Sequence, residues 1–297
     1  MQLEYKVIDK KYYNIKEILK VHFQISDRLL TKLKKNSKIL LNDLPCYIDK
    51  KVTIGDFICV NLDFEEESEN IVPIKMKLDI IYEDETILVI NKQANLPVHP
   101  SILHFEDSLS NGIKYYFETI NLKKKIRPVN RLDKDTSGIV IFAKNEYIQE
   151  CLIKQMKNNT FKKEYYAILE GLLEEESGTI DAPISRKEGS IIEREINFSG
   201  DSAITHFELI KTFNSTINNI TLSLVRFILE TGRTHQIRVH SKHINHPILG
   251  DSLYGNPSNL ISRQALHAYK VSFIHPITKN KLNLKIDFPD DMKKIIE

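Results

Sequence analysis

The apolar and polar positions of this chain change period several times. Ile15, Ile18 and Leu19 recur at helical spacing. Ser26 and Asp27 stand where a cap would open a second helix carrying Leu29, Leu30 and Leu33, with Lys32, Lys34 and Lys35 on or near its exposed side. Ile39 to Leu41 and Val52 to Val60 read as strands, with a turn at Asn42-Asp43 between them and Gly55-Asp56 inside the second. From Leu78 onward strand patterns dominate. Ile80 to Tyr82 and Ile87 to Ile90 flank an acidic turn, Glu83-Asp84-Glu85. Ile139 to Ala143, Tyr165 to Leu169, Ala203 to Ile210 and Ile220 to Leu229 follow, and Leu266 to Ile274 with Leu282 to Phe288 predict a late hairpin around Thr278-Lys279-Asn280. Ser108 to Ile120 and Asn145 to Lys157 read as helices. Strands and helices do not alternate regularly, which argues against a Rossmann fold or a barrel. An α+β fold with a mixed, largely antiparallel sheet and flanking helices fits.

Composition narrows this picture. The 297 residues are 41% hydrophobic and 28% charged, as in soluble globular proteins, and the length allows one or two domains. The net charge of +2 excludes a polybasic chain, so any nucleic-acid surface must come from local segregation of charge. Such segregation is present. Residues 1–60 hold twelve lysines and arginines against seven aspartates and glutamates, a net of +5, whereas residues 61–70 hold five acids (Asp63, Glu65, Glu66, Glu67 and Glu69) and no base. The acidic stretch, ending near Pro73, reads as a linker. The expected organisation is a small α+β unit over 1–63, a linker over 64–77 and a larger unit over 78–297. Cys46, Cys59 and Cys151 are scattered and lack any Cys-x-x-Cys spacing, so a disulfide framework or zinc knuckle is not expected and a reducing cytoplasm fits. Met1 to Lys11 has no apolar core of a signal peptide, and no apolar run is long enough to span a bilayer. Neither Gly-x-Gly-x-x-Gly nor Gly-x-x-x-x-Gly-Lys-Ser/Thr occurs.

The densest candidate chemistry is Asn130-Arg131-Leu132-Asp133-Lys134-Asp135-Thr136-Ser137-Gly138. Thr-Ser-Gly has turn composition and the apolar run after it strand composition, so Asp133 is expected on a loop feeding a buried strand. A carboxylate between Arg131 and Lys134 is a catalytic candidate, and the same spacing equally fits a structural ion pair. His235, His240, His243 and His246 crowd one region, but no zinc-ligand spacing accompanies them; RNA contact or packing is the preferred reading, with no metal. Asp135-Thr136-Ser137-Gly138 has the look of an aspartic-protease loop, but it carries an extra Ser and has no second copy.

The segment around Asp133 resembles the catalytic motif of the RluA-type pseudouridine synthases: Arg-Leu-Asp, two variable residues, then Thr-Ser-Gly. The resemblance continues in order along the chain. Lys92 to Ser101 is similar to the family's first motif, and Lys163-Glu164-Tyr165 with Ala167 and Gly171 to its Lys-x-Tyr segment. Gly232 to His240 is similar to its third motif, followed by His246 to Asp251, Tyr254-Gly255 and Leu266-His267-Ala268. Asn130 departs from the His that many relatives carry before Arg-Leu-Asp; it forms hydrogen bonds but does not titrate near neutral pH.

The resemblance implies that Asp133 is the catalytic carboxylate, that Arg238 is the best candidate for its cation partner, with Arg233 and Arg131 as alternatives, and that Tyr165 lies against the flipped base. It implies RNA contacts for Arg131, Arg233, His235 and Gln236, and a reaction without metal, redox or nucleotide cofactor. The order helix–helix–strand over residues 1–60 resembles a small S-four-like RNA-binding domain, in which Lys32, Lys34 and Lys35 would contact phosphates without reading sequence. The opposing reading is an ordinary solvated lysine face. Together these features imply a cytoplasmic RNA pseudouridine synthase acting on large-subunit ribosomal RNA, with transfer RNA as the second choice. A non-catalytic RNA-binding or ribosome-assembly protein is the alternative of a different class.

Overall fold

In the computed structural model of the protein, which describes residues 1–66, 68–215 and 220–297, two main sheets are formed. Residue Glu67 of the acidic stretch lies outside the described residues. The chain opens with β1 (Gln2–Lys6) and a helix, α1 (Ile15–Glu17), which continues as a π-helical turn over Ile18–His22. α2 (Asp27–Lys35), β2 (Ile39–Leu41), β3 (Leu44–Pro45) and β4 (Phe57–Asn61) follow. The four strands pair antiparallel in the order β1-β4-β2-β3. The expected cap of α2 is present: the Ser26 hydroxyl accepts from the Leu29 N–H, while Leu29, Leu30 and Leu33 are buried. The strand expected from Val52 begins only at Phe57. Gly55 has φ +100° and the Asp56 carboxylate accepts the Thr53 N–H at 2.7 Å, so residues 53–56 form a turn.

The second sheet contains β5 (Ile80–Glu83), β6 (Ile87–Lys92), β7 (Ser137–Ala143), β8 (Lys162–Glu170) and β9 (Ser177–Asp181). Beyond a separate hairpin of β10 (Ile184–Arg186) and β11 (Arg194–Ile196), it continues with β12 (Ile204–Asn214), β13 (Thr221–Leu229), β14 (Leu266–Ile274) and β15 (Lys281–Lys285). Its order is β5-β6-β7-β14-β8-β13-β12-β9, with β15 on β14. Among the described strands β7 and β14 are the parallel pair and the rest are antiparallel. Helices α3 (Leu109–Thr119), α4 (Glu146–Lys157), α5 (Gln236–His243) and α6 (Asp290–Ile296) complete the fold. No helix among the described residues is long and apolar enough to cross a membrane. This is the expected α+β architecture with a mostly antiparallel sheet.

The continuous apolar runs of β6 and β7 follow from burial on both faces. Leu88, Ile90, Val140 and Phe142 join a core with Ile113 and Phe117 of α3. Their neighbours Ile87, Val89, Ile139 and Ile141 join a second core with Ile148 and Leu152 of α4. That second core also takes in Leu29, Leu33, Ile58 and other apolar side chains of the first sixty residues. The N-terminal unit therefore shares its core with the back of the large sheet. Ser26 donates to Glu150, and Arg28 pairs with Glu146, across the same contact.

The acidic stretch is a fastened strap. Glu66 pairs with Lys32 and Arg127, Asp63 with Lys124 and Glu65 with Lys123; Ile71 is buried in the core with α3. β1, β9, β10, β11, α5 and α6 lack a counterpart in the sequence pattern. Four are strands of three to five residues, too short for a period to show. In α5 the buried positions include polar Gln236, Arg238, His240 and Ser241, which hides its inner face.

Candidate active site

Asp133 lies on the loop that feeds β7, as expected, but the turn falls earlier than its composition suggested. Thr136 N–H bonds back to the Asp133 carbonyl at 3.2 Å, and Ser137 and Gly138 already belong to β7. Gly138 sits at φ +121° where β7 meets β14, and a Cβ there would lie 2.4 Å from the Ala268 carbonyl oxygen. Only glycine fits that backbone.

Side chains from distant segments hold the loop. Asn130 is buried; its amide donates to the Ile139 carbonyl at 3.0 Å and accepts the Ile141 N–H at 2.9 Å, tying the loop to β7. Lys92, the buried end of β6, donates to the carbonyls of Gln93, Leu96 and Lys134 at 2.8–2.9 Å. Burial pushes its pKa down to about 7, against the pull of Asp135 and Asp133. Arg263 donates to the Asp135 carbonyl at 3.2 Å while gripping Asp291 of α6 with two bonds. The loop is thus held through its carbonyls, which leaves the Asp133 side chain free to face the cleft.

That side chain meets Arg238 of α5, whose Nη1 donates to Asp133 Oδ2 at 3.1 Å. The guanidinium is fixed from behind. Its Nε and Nη2 donate to the two oxygens of the fully buried Asp251 at 2.7 and 2.8 Å. Asp251 Oδ1 also accepts the N–H groups of Leu253 and Tyr254, and the Tyr254 ring stacks 5.0 Å from the guanidinium carbon. Burial works against the Arg238 charge, but Asp251 and then Asp133 outweigh it and raise its pKa above the usual arginine value. Arg238, fixed by the buried Asp251, aims its guanidinium at Asp133, whose side chain remains 27% exposed and so reachable by a substrate.

Two aromatic side chains flank this carboxylate. Tyr165 of β8 is buried in the cleft wall; burial first, then the Asp133 charge, raises its pKa well above the usual phenol value, so it stays protonated at neutral pH. His235 stands before α5 at φ +58°, with Nε2 3.8 Å from Asp133 Oδ2 and Nδ1 2.8 Å from the Tyr254 hydroxyl. Tyr254 accepts the Arg194 N–H, so its own proton can be given to His235 Nδ1, which leaves an N–H on the side of Asp133. Burial lowers the His235 pKa, with Asp133 opposing, and favours the neutral ring.

The cleft is lined by Arg131, Leu132, Asp133, Thr136, Tyr165 and Leu229, together with Arg233 to Arg238 other than Thr234, and Leu266. Of the expected RNA contacts, Arg131, Arg233 and His235 therefore stand at the cleft. Gln236 does not present its amide there. It donates to the Ile204 carbonyl and Thr205 Oγ1 and accepts from Thr231 Oγ1 and the Arg233 N–H, so it shapes the Gly232–Thr234 loop from inside. Lys32 is also used internally, paired with Glu66 and lying 4.2 Å over the Phe64 ring, whereas Lys34 and Lys35 are exposed. His240 and His246 serve packing, the first bonded to Thr205 and the Ala182 carbonyl, the second to the Glu170 carbonyl. Asp251 and Tyr254 were visible only as motif letters. Nothing in their spacing ties them to Arg238, thirteen and sixteen residues earlier.

Comparison with known proteins bears on this site directly. The RNA pseudouridylate synthase family model matches residues 86–243, just over half of the chain and inclusive of Asp133, Tyr165 and Arg238. The Bacillus subtilis protein named as an uncharacterized RNA pseudouridine synthase, YjbO, is 40% identical over 274 residues, covering 92% of this chain and 95% of that protein. Ribosomal large subunit pseudouridine synthase D of Neisseria meningitidis serogroup B is 35% identical over 280 residues, covering 90% and 73%. The solved structure of human RNA pseudouridylate synthase domain containing 1 shares the fold, with a TM-score of 0.59 at 24% identity over 71% of this chain and 83% of that one. The matches span the sheet, the Asp133 loop and α5 alike, and on them the chain belongs to the RluA-type RNA pseudouridine synthases, enzymes that isomerise uridine in RNA to pseudouridine.

Proposed function

We propose that this enzyme modifies large-subunit ribosomal RNA, with Asp133 as its catalytic carboxylate. The reaction breaks the bond between uracil N1 and ribose C1′ and makes one between C5 and C1′; the C5 proton is lost and N1 gains one. Attack on C1′, or removal of the neighbouring ribose proton, requires an ionised carboxylate in contact with the sugar. The observation that carries the assignment is the arrangement of Asp133, partly open to the cleft, against an Arg238 that the buried Asp251 holds in place. Preorganised charge of this kind costs no rearrangement when substrate arrives. Tyr165 offers a ring to the base and a protonated hydroxyl. Arg131 and Arg233 at the rim are phosphate contacts for a nucleotide that must leave its stack to enter.

The ribosomal substrate is supported by relatives named for the large ribosomal subunit, 34–36% identical over 88–90% of this chain. Residues 1–63 act as an RNA-positioning domain through Lys34 and Lys35, joined by the 64–77 strap to the catalytic domain 78–297, and the enzyme works in the cytoplasm where ribosomes are made. Pseudouridines mapped in total RNA from cells with and without the protein test this. The expected result is loss of discrete sites in large-subunit ribosomal RNA, restored by the wild type and not by Asp133→Asn. Activity of Asp133→Asn on the order of 10⁴-fold below wild type is expected for removal of a reacting group. Loss confined to transfer RNA would overturn the substrate class, and full restoration by Asp133→Asn would overturn the catalytic assignment.

A further inference from the structure

We propose that Lys163 binds an RNA backbone phosphate at the edge of the Asp133 cleft, next to the Gly232–Arg233 loop. The inference rests on the RNA-modifying reading above and adds a contact to it. Lys163 lies on β8 two residues before Tyr165, so the two side chains leave the same face of the sheet, roughly 7 Å apart along the strand. Their neighbours point the other way and are satisfied there. Glu164 pairs with Lys270 at 2.7 Å and with Arg226 at 3.7 Å, and Tyr166 packs edge-on against Tyr269 and Phe288.

Lys163 differs from the other enclosed lysines of the fold. Lys92 ends on three carbonyls, and Lys144 on Glu83 and the Asp84 carbonyl. Lys163 has no hydrogen bond or ion pair from its ammonium among the described residues, although it is only partly exposed and burial lowers its pKa. A desolvated cation without an anion is costly, and the cost is relieved when an anion docks.

The surroundings leave room for that anion. The ammonium lies under the loop that leads to His235: a Cβ placed on Gly232 would stand 3.3 Å from Lys163 Nζ. The next residue, Arg233, lines the cleft and keeps 40% of its side chain exposed, with a single 3.5 Å contact to Asp201 as its ion pair. Arg131 lines the same cleft, so two arginines of its lining and Lys163 beside the Gly232 loop are cations outside the Asp133–Arg238–Asp251 group. The excess positive charge fits a polyanion entering alongside the flipped uridine.

Lysine substitutions in the full-length protein, assayed on a large-subunit ribosomal RNA transcript, test the proposal. Lys163→Met is expected to raise KM about tenfold, with kcat falling less than about threefold, and to lower the log–log salt slope of binding by about one. Lys163→Arg, which keeps the charge, is expected to restore most of the affinity. Unchanged KM and salt slope in Lys163→Met would overturn the proposal. So would a Lys163→Arg variant as impaired as Lys163→Met, because the role would then be packing. If the wild type forms no pseudouridine on any RNA, the functional reading fails; the dissociation constant and salt slope on the same transcript then still decide on Lys163.

Discussion

Two clusters of charge in this protein look alike on paper and behave differently in space. Behind Asp133 three charged groups are held by fixed partners: Arg238 is clamped by Asp251, Lys92 by three carbonyls and Arg263 by Asp291. On α2 the three lysines of one helix divide. Lys32 is drawn inward to Glu66 and Phe64, and Lys34 and Lys35 stay in solvent. The buried cluster acts as one preorganised unit, whereas the helix is a surface from which single charges are removed independently. Network and surface should therefore respond to mutation on different scales.

The largest effect is expected at Asp251. Asp251→Ala leaves the Arg238 guanidinium buried and half unpaired, which costs about 3–5 kcal/mol of stability. It should also abolish turnover, because Arg238 no longer points at Asp133. Denaturant melts and pseudouridine assays on the same preparation check both. A variant that loses activity but keeps full stability would show that Asp251 positions the arginine without holding the fold.

Burial at the base of the site should also appear as pH dependence. His267 of β14 accepts or donates one bond to Ser137 at the foot of the Asp133 loop, and burial pushes its pKa from 6.5 down to about 4. A depressed histidine binds protons more readily in the unfolded chain. Its stabilising contribution is therefore complete above pH 6.5 and is lost as pH falls toward 4. The loss amounts to roughly 3 kcal/mol at most. His267→Gln should flatten the stability profile across that window, as read from melts at a series of pH values; an unchanged slope would place the titration elsewhere.

The smallest effects belong to α2. Lys34→Gln with Lys35→Gln should leave stability within about 0.5 kcal/mol, as for surface sites, and lower the salt slope of RNA binding by up to about two. Lys32→Gln should instead destabilise the fold by about 1–3 kcal/mol, because Glu66 loses one of its two cations while staying largely enclosed. Equal behaviour of all three lysines, by melting and by salt titration, would erase the contrast between network and surface.

Long elements with a strong period were legible. α2, α3 and α4, with their caps at Ser26, Ser108 and Asn145, and the strands of the large sheet other than β9 fall where the apolar pattern placed them. Short edge strands and the polar inner face of α5 were not, because their residues are chosen by neighbours and not by period. The Asn130 position is instructive. The sequence marks it as a departure from His, while the fold shows an amide whose donor and acceptor both meet the β7 backbone, a task that needs no titration.

The sequence by itself determined the fold class, the family and the three side chains that meet at the centre of the site, because a carboxylate, its arginine and an aromatic wall are local letters in ordered motifs. Which charges are spent internally was decided only by the tertiary structure. Asp251 behind Arg238, Lys32 against Glu66, Gln236 inside its loop and Lys163 left without an anion among the described residues are all facts about distance through space. Charges attract over a few ångströms whatever their separation along the chain, so the partner of each is set by how the sheet and helices pack and not by spacing in the sequence.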